Sequence, residues 1–192
     1  MISRTPNLTV VTRRRRLGRS LALIAGAALA LGGAPAMAGS GGTGAPPPPP
    51  PTVAGAKAKL VDGLAVAPKS APKRVKAVIA AANKIAKGHG YCNGGGYASW
   101  QSSCYDCSSS VSFALHGGGL IDRAMPPTSL EGWGRPDRGK WITVYANSGH
   151  AYMKVAGLRF DTADVRGIGP GWAKGMGWER TQTAVARHKS GF

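Results

Sequence analysis

The chain has 192 residues, with 25 Lys and Arg against 8 Asp and Glu, a formal charge of +17 and 43% apolar residues. This length excludes a large multi-domain enzyme, and the apolar share excludes wholesale disorder. No apolar run reaches the roughly 18–20 residues that a membrane-spanning helix needs.

The charge is unevenly placed. Arg4, Arg13, Arg14, Arg15, Arg16 and Arg19 fall within residues 1–38, which hold no acid. The remainder keeps 19 basic and 8 acidic residues, or +11. That excess suits an anionic neighbourhood: nucleic acid, a membrane surface or an acidic wall polymer. Lys and Arg are scattered along the sequence rather than gathered on one helix. The charge therefore reads as a location signal, not as a nucleic-acid site.

In chain order, the four consecutive arginines precede the apolar run Leu21 to Leu31, then small residues through Ala36-Met37-Ala38. Basic, apolar and small-residue regions in that order make a secretory signal over 1–38, cleaved after Ala38. Paired arginines before Leu17 also permit the twin-arginine route. A buried helix would have to tolerate the four arginines beside it. Pro46 to Pro51 then predict a stiff rod rising about 3 Å per residue. Thr52 to Ser70 shows no sustained periodicity. Residues 39–71 are therefore expected to be a disordered linker, and 72–192 a single folded domain without internal repeats.

Pro72 suits a first helical position. Val75, Val78, Ile79, Ala82, Ile85 and Ala86 follow 3.6-residue spacing up to a stop at Gly88. Gly90 to Asp106 is a Gly/Ser-rich loop. A second helix runs from Cys107 to His116 and ends in Gly117-Gly118-Gly119. Trp141 to Tyr145 is a strand. His150 to Val155 and Leu158 to Thr162 form a hairpin about Ala156-Gly157, with Val155 opposite Leu158. That register puts Asp161 diagonal to His150 on one face, within side-chain reach. A last strand is expected at Thr183 to Arg187.

Three cysteines in an exported chain leave one over after pairing. Cys92 and Cys104 share the loop and can close a small ring. Cys107 starts a helix, where free N–H groups favour thiolate. Cys107 could equally pair with Cys104 or Cys92. His89-x-x-Cys92 with Cys104-x-x-Cys107 also has zinc-site spacing, and Cys104-x-x-Cys107 permits a redox pair. Were Cys107 a nucleophile, it would need a base. His116 lies nine residues on, roughly 13 Å along the helix, too far. His89 and His188 have no evident orienting acid. His150 has Asp161 beside it, giving the generalised triad of nucleophile, base and orienter.

Tyr105-Asp106-Cys107-Ser108-Ser109-Ser110-Val111, followed by a helix ending in glycines, resembles the Asp-Cys-Ser-Gly nucleophile motif of NlpC-type cell-wall cysteine peptidases. Tyr91 with Gly94-Gly95-Gly96 is similar to that family's Tyr-x-x-Gly-Gly loop, and His150 and Asp161 match its base and orienter in order. The likeness covers about Val75 to Thr162. It departs at Ser109, where the family has glycine, and at Asp161, where many relatives use His, Asn or Gln. It implies an α+β, papain-like domain with the nucleophile helix packed on an antiparallel sheet. It also implies an exported or wall-associated hydrolase of peptidoglycan stem peptides, with catalytic Cys107, His150 and Asp161 and with Tyr91 on the oxyanion or substrate side. The mechanism then requires a Cys92–Cys104 disulfide, which leaves Cys107 free.

Plainer roles stand beside these: Tyr91 as a core-edge residue, Asp106 as a helix cap, and Trp133, Trp141, Trp172 and Trp178 as packing residues. No cofactor or metal is expected, and the partner is peptidoglycan or another anionic wall polymer, with neither nucleic acid nor a lasting membrane span, for a monomer. Two other functions fit the residues: a catalytically silent wall-binding or scaffold module on the same fold, and a zinc-stabilised module.

Overall fold

A computed structural model describes residues 48–163, 169–175 and 184–192. The signal region 1–38, the start of the linker through residue 47, Trp178 and Thr183 lie outside the described residues.

The fold is mixed α+β, with helices packed against sheets. It opens with β1 (Thr52–Val53), β2 (Lys59–Val61) and β3 (Leu64–Pro68), a small sheet in the order β1-β3-β2. This corrects the expectation of a disordered linker up to residue 71. The hairpin turns on Asp62-Gly63, both in the left-handed region with φ of 48° and 79°, and pairs Val61 with Leu64. Asp-Gly between apolar residues is a two-residue hairpin signal. Leu64 to Ala67 alternate, sending Ala65 and Ala67 into the main core with Ala58 and Ala71. Ala58 N–H also donates to Ala156 O at 2.9 Å, tying this segment to a distant turn.

Helix α1 (Lys73–Ile85) follows, burying Val75, Val78, Ile79, Ala81, Ala82 and Ile85. Pro72 precedes it without a side-chain cap, and Lys84 in the last turn favours the negative end of the helix dipole. Asn83, on the less buried side, joins three elements. Its Oδ1 accepts from Ala65 N–H at 3.0 Å and from the Trp172 indole at 2.8 Å, and its Nδ2 donates to Ala65 O at 2.8 Å.

Short parallel strands β4 (Gly90–Tyr91) and β5 (Cys104–Tyr105) lead to α2 (Cys107–Gly117). The end of α2 lies against α1 so closely that a Cβ on Gly117 would sit 2.3 Å from Ala81 Cβ. A Cβ on Gly118 would come equally close to Val78. The glycines thus permit the helix contact as well as ending α2.

After α3 (Pro127–Leu130) and β6 (Arg135–Pro136) come β7 (Ile142–Asn147), β8 (His150–Val155), β9 (Leu158–Asp161), β10 (Gly171–Ala173) and β11 (Val185–His188). They build a six-stranded sheet in the order β10-β9-β8-β7-β11-β6, with antiparallel neighbours. Val155 pairs with Leu158 and Met153 with Phe160. Ala151, Met153, Val155, Leu158 and Phe160 enter the core shared with α1 and α2. The opposite face is closed as well: Tyr152, Arg159 and Asp161 are buried. The strand alternation therefore separates two buried environments, one apolar and one polar.

Candidate functional site

The site begins with the loop before α2. Cys92 and Cys104 are joined in a disulfide, and Cys107 is free. The bridge fixes the two ends of the loop beside the β4–β5 pair. Within it the glycine run has a steric basis. A Cβ on Gly95 would meet Cys92 Sγ at 2.2 Å, and one on Gly96 would meet the Tyr105 ring at 2.5 Å and Ser109 Oγ at 2.9 Å.

Asp106 caps α2. Its Oδ1 accepts from Ser109 N–H at 2.8 Å, while Asp106 N–H donates to Ser109 Oγ at 2.9 Å, a reciprocal capping box. Ser109 therefore does not crowd the helix start; it completes the cap in the space that Gly96 leaves. Ser108 Oγ bonds the Tyr97 hydroxyl and donates to Asp106 Oδ1 at 3.3 Å. Tyr97 and Ser108 were not among the expected site residues.

Cys107 follows as the first helical residue. Its thiol hydrogen-bonds to His150, the first residue of β8, and receives the Ala151 N–H. An Asn147 turn sets the imidazole, with Asn147 Oδ1 accepting from Gly149 N–H at 2.9 Å and His150 N–H at 3.1 Å. His150 Nε2 lies 2.8 Å from Asp161 Oδ1, which also accepts from the backbone N–H groups of Thr162 (2.7 Å) and Ala163 (3.0 Å). Asp161 is 0% exposed, and its Oδ2 lies 3.6 Å from the buried Arg159 guanidinium. The fold thus brings Cys107, His150 and Asp161 together, and adds the buried Arg159 beside Asp161.

Burial disfavours charge on both members of the thiol–imidazole pair, and the hydrogen bonds outweigh it. Desolvation alone would lower the His150 pKa; bonding to Asp161 and Cys107, and their charges, raise it to about 9. Burial pushes the Cys107 thiol up, but the bonds from His150 and the Ala151 N–H carry it below its ordinary value. Both directions favour the charged form of each group, against the cost of burial. Tyr91 stands nearby, 47% exposed, its hydroxyl pKa raised by partial burial and then by the charges of Cys107 and Asp106.

The cysteine-peptidase reading is corrected by the cysteine arrangement. The Cys92–Cys104 bridge is the expected one and takes two of the three cysteines out of thiol chemistry, so the reading rests on Cys107 alone. The third is only 8% exposed, in a helix turn whose Ser108, Ser109 and Ser110 are wholly buried. Reactive thiols sit partly exposed, whereas buried ones behave as structural groups. The zinc module is corrected by the same bridge, because both sulfurs it needs from Cys92 and Cys104 are bonded to each other. Among the described residues no group of three or more His, Cys, Asp or Glu could hold a metal ion. Nor, among them, is any helix long and apolar enough to cross a membrane. Trp133, Trp141 and Trp172 are core residues.

No protein-family model, curated protein or solved structure matches the chain.

A second surface feature contrasts with this closed site. Between residues 48 and 87 the chain carries Lys57, Lys59, Lys69, Lys73, Arg74, Lys76, Lys84 and Lys87 against Asp62 alone. All of these basic residues except the half-buried Lys76 are exposed. The sequence reading of scattered charge missed this grouping, because it takes the folding of the supposed linker onto α1 to bring the lysines into one lobe.

Proposed function

We propose that the protein is an exported, catalytically silent module that binds an anionic wall polymer through the basic lobe of β1–β3 and α1. The exposed, almost acid-free lysine group carries this reading. Like charges in water add nothing to the fold, but they attract a polyanion. The arginine-rich leader at 1–38 supports export, and the Pro46–Pro51 run supports a stiff spacer ahead of the lobe. On this reading the domain keeps the NlpC-like, papain-like arrangement that the Asp106-Cys107-Ser108 segment resembles. The Cys107–His150–Asp161 array then serves as a buried polar frame joining α2 to β8 and β9.

The test uses isolated cell walls with the wild-type protein and Cys107→Ala side by side. Both are expected to bind at low salt and release at high salt, since exposed charges are screened. Neither is expected to liberate new amino groups. Amine release by wild type but not by Cys107→Ala overturns the silent reading, and equal retention at low and high salt overturns the electrostatic one.

A further inference from the structure

A cavity of about 230 Å³ lies beside the disulfide loop, and Cys107, His150 and Asp161 do not line it. His89, Trp100, Tyr105 and Phe113 supply its rings, Gln101 and Ser102 its neutral polar groups, and Lys84 and Ile85 complete the lining. We propose that this pocket binds one pyranose ring of a glycan.

The size argues for a single ring. Pockets for drug-sized ligands begin near roughly 300 Å³, so this one is too small for a longer ligand to enter whole. The lining argues for a sugar. An aromatic face is electron-rich, so the polarised C–H groups on one face of a pyranose settle against it. Its hydroxyls project from the rim, where an amide, an imidazole and a hydroxyl meet them. Ser102 Oγ already donates to Cys104 O at 2.8 Å and keeps its acceptor lone pairs for a sugar hydroxyl, while the Gln101 amide can both donate and accept.

The pocket is also held ready. The Trp100 indole stacks on His116 with centroids 4.1 Å apart and planes 6° off parallel. His116 is itself fixed, its Nδ1 lying 3.1 Å from Ile121 O. His116 does not line the cavity, so it braces one face of the indole from behind. The Tyr105 hydroxyl donates to Trp100 O at 2.6 Å and accepts from Ser102 N–H at 3.2 Å, and its ring meets Phe113 edge-on at 5.4 Å. The Cys92–Cys104 bridge closes the loop that carries Trp100. Little rotamer or loop freedom is left to lose on binding.

The test titrates chitotriose into the uniformly ¹⁵N-labelled full chain at high salt, which suppresses polyanion binding. The Trp100 indole N–H resonance is assigned by its loss in Trp100→Phe. That resonance is expected to shift with chitotriose. Trp100→Ala is expected to weaken binding at least about tenfold, and Trp100→Phe, which keeps a ring, by about threefold. Should Trp100→Ala fail to fold, Trp100→Phe and His89→Ala carry the comparison. The proposal is overturned if wild type shows no saturable shift, if the shifts map elsewhere, or if none of the folded variants weakens binding. Saturation by a phenylalanine tripeptide but not by chitotriose also overturns it, in favour of a peptide side chain. Salt-sensitive retention on walls does not depend on this pocket, so the two ideas fail separately.

Discussion

The lobe of residues 48–87 and the sheet that follows it use charge in opposite ways. In the lobe, lysines stand in water with one acid among them. In the sheet, Arg159 and Asp161 are buried side by side, and His150 reaches Asp161 at 2.8 Å. Exposed like charges repel each other and leave folding no stronger. Buried opposite charges hold a geometry, and losing one partner strands the other away from water. The lobe's charge faces outward to solvent, and the array's faces inward to the fold.

The contrast can be broken most sharply at Asp161. Asp161→Ala removes the buried carboxylate that Arg159 and His150 both face, and is expected to cost about 3–5 kcal/mol in urea unfolding. A loss under about 1 kcal/mol would show that the array frames nothing. Next comes the bridge. It closes a ring of 13 residues counting both ends, so Cys92→Ser with Cys104→Ser should lower stability by about 3 kcal/mol in the chain-entropy model.

Proton linkage gives a smaller effect with a definite sign. The His150 pKa is raised from 6.5 to about 9 on folding. Its contribution is therefore full below pH 6.5 and lost as pH rises through about 9. The gap in stability between wild type and His150→Gln should be on the order of 2 kcal/mol at acid-to-neutral pH and shrink in alkaline solution. A gap that widens with pH would reverse the assignment. The smallest change in stability belongs to the lobe: Lys59→Glu with Lys73→Glu should shift it by about 0.5 kcal/mol or less. The same pair should sharply reduce retention on walls, and unchanged retention would remove the lobe from the binding surface.

Much of the sheet was legible because strand alternation and turn length fix register. Val155 opposite Leu158 followed from Ala156-Gly157, and it carried Asp161 to His150 across the hairpin. Helix α1 was legible from its 3.6-residue apolar spacing. The lobe was not, although Asp62-Gly63 between Val61 and Leu64 was a usable signal. Its small alanines bury little area individually, so composition looked like a tether. The buried polar face was missed for a different reason. Strand alternation puts these residues on one face but does not say whether that face is covered, and only the rest of the fold buries Tyr152, Arg159 and Asp161. The fit of Ser109 was not legible either, because it depends on Gly96, which is distant from it in sequence and close to it in space.

Asn83 joins the lobe to the far edge of the large sheet. Its bonds to Ala65 span 18 residues, whereas the indole of Trp172 lies 89 residues further on. As the chain emerges from its N-terminal end, the lobe can close on Asn83 through the two Ala65 bonds before the large sheet exists. One lone pair of Oδ1 then stays with water until β10 arrives. The last strand pairing of that edge and the final dehydration of Asn83 become one event. Hydrogen exchange at Ala65 N–H should therefore report the docking of β10, far away in sequence, as well as the lobe's own opening.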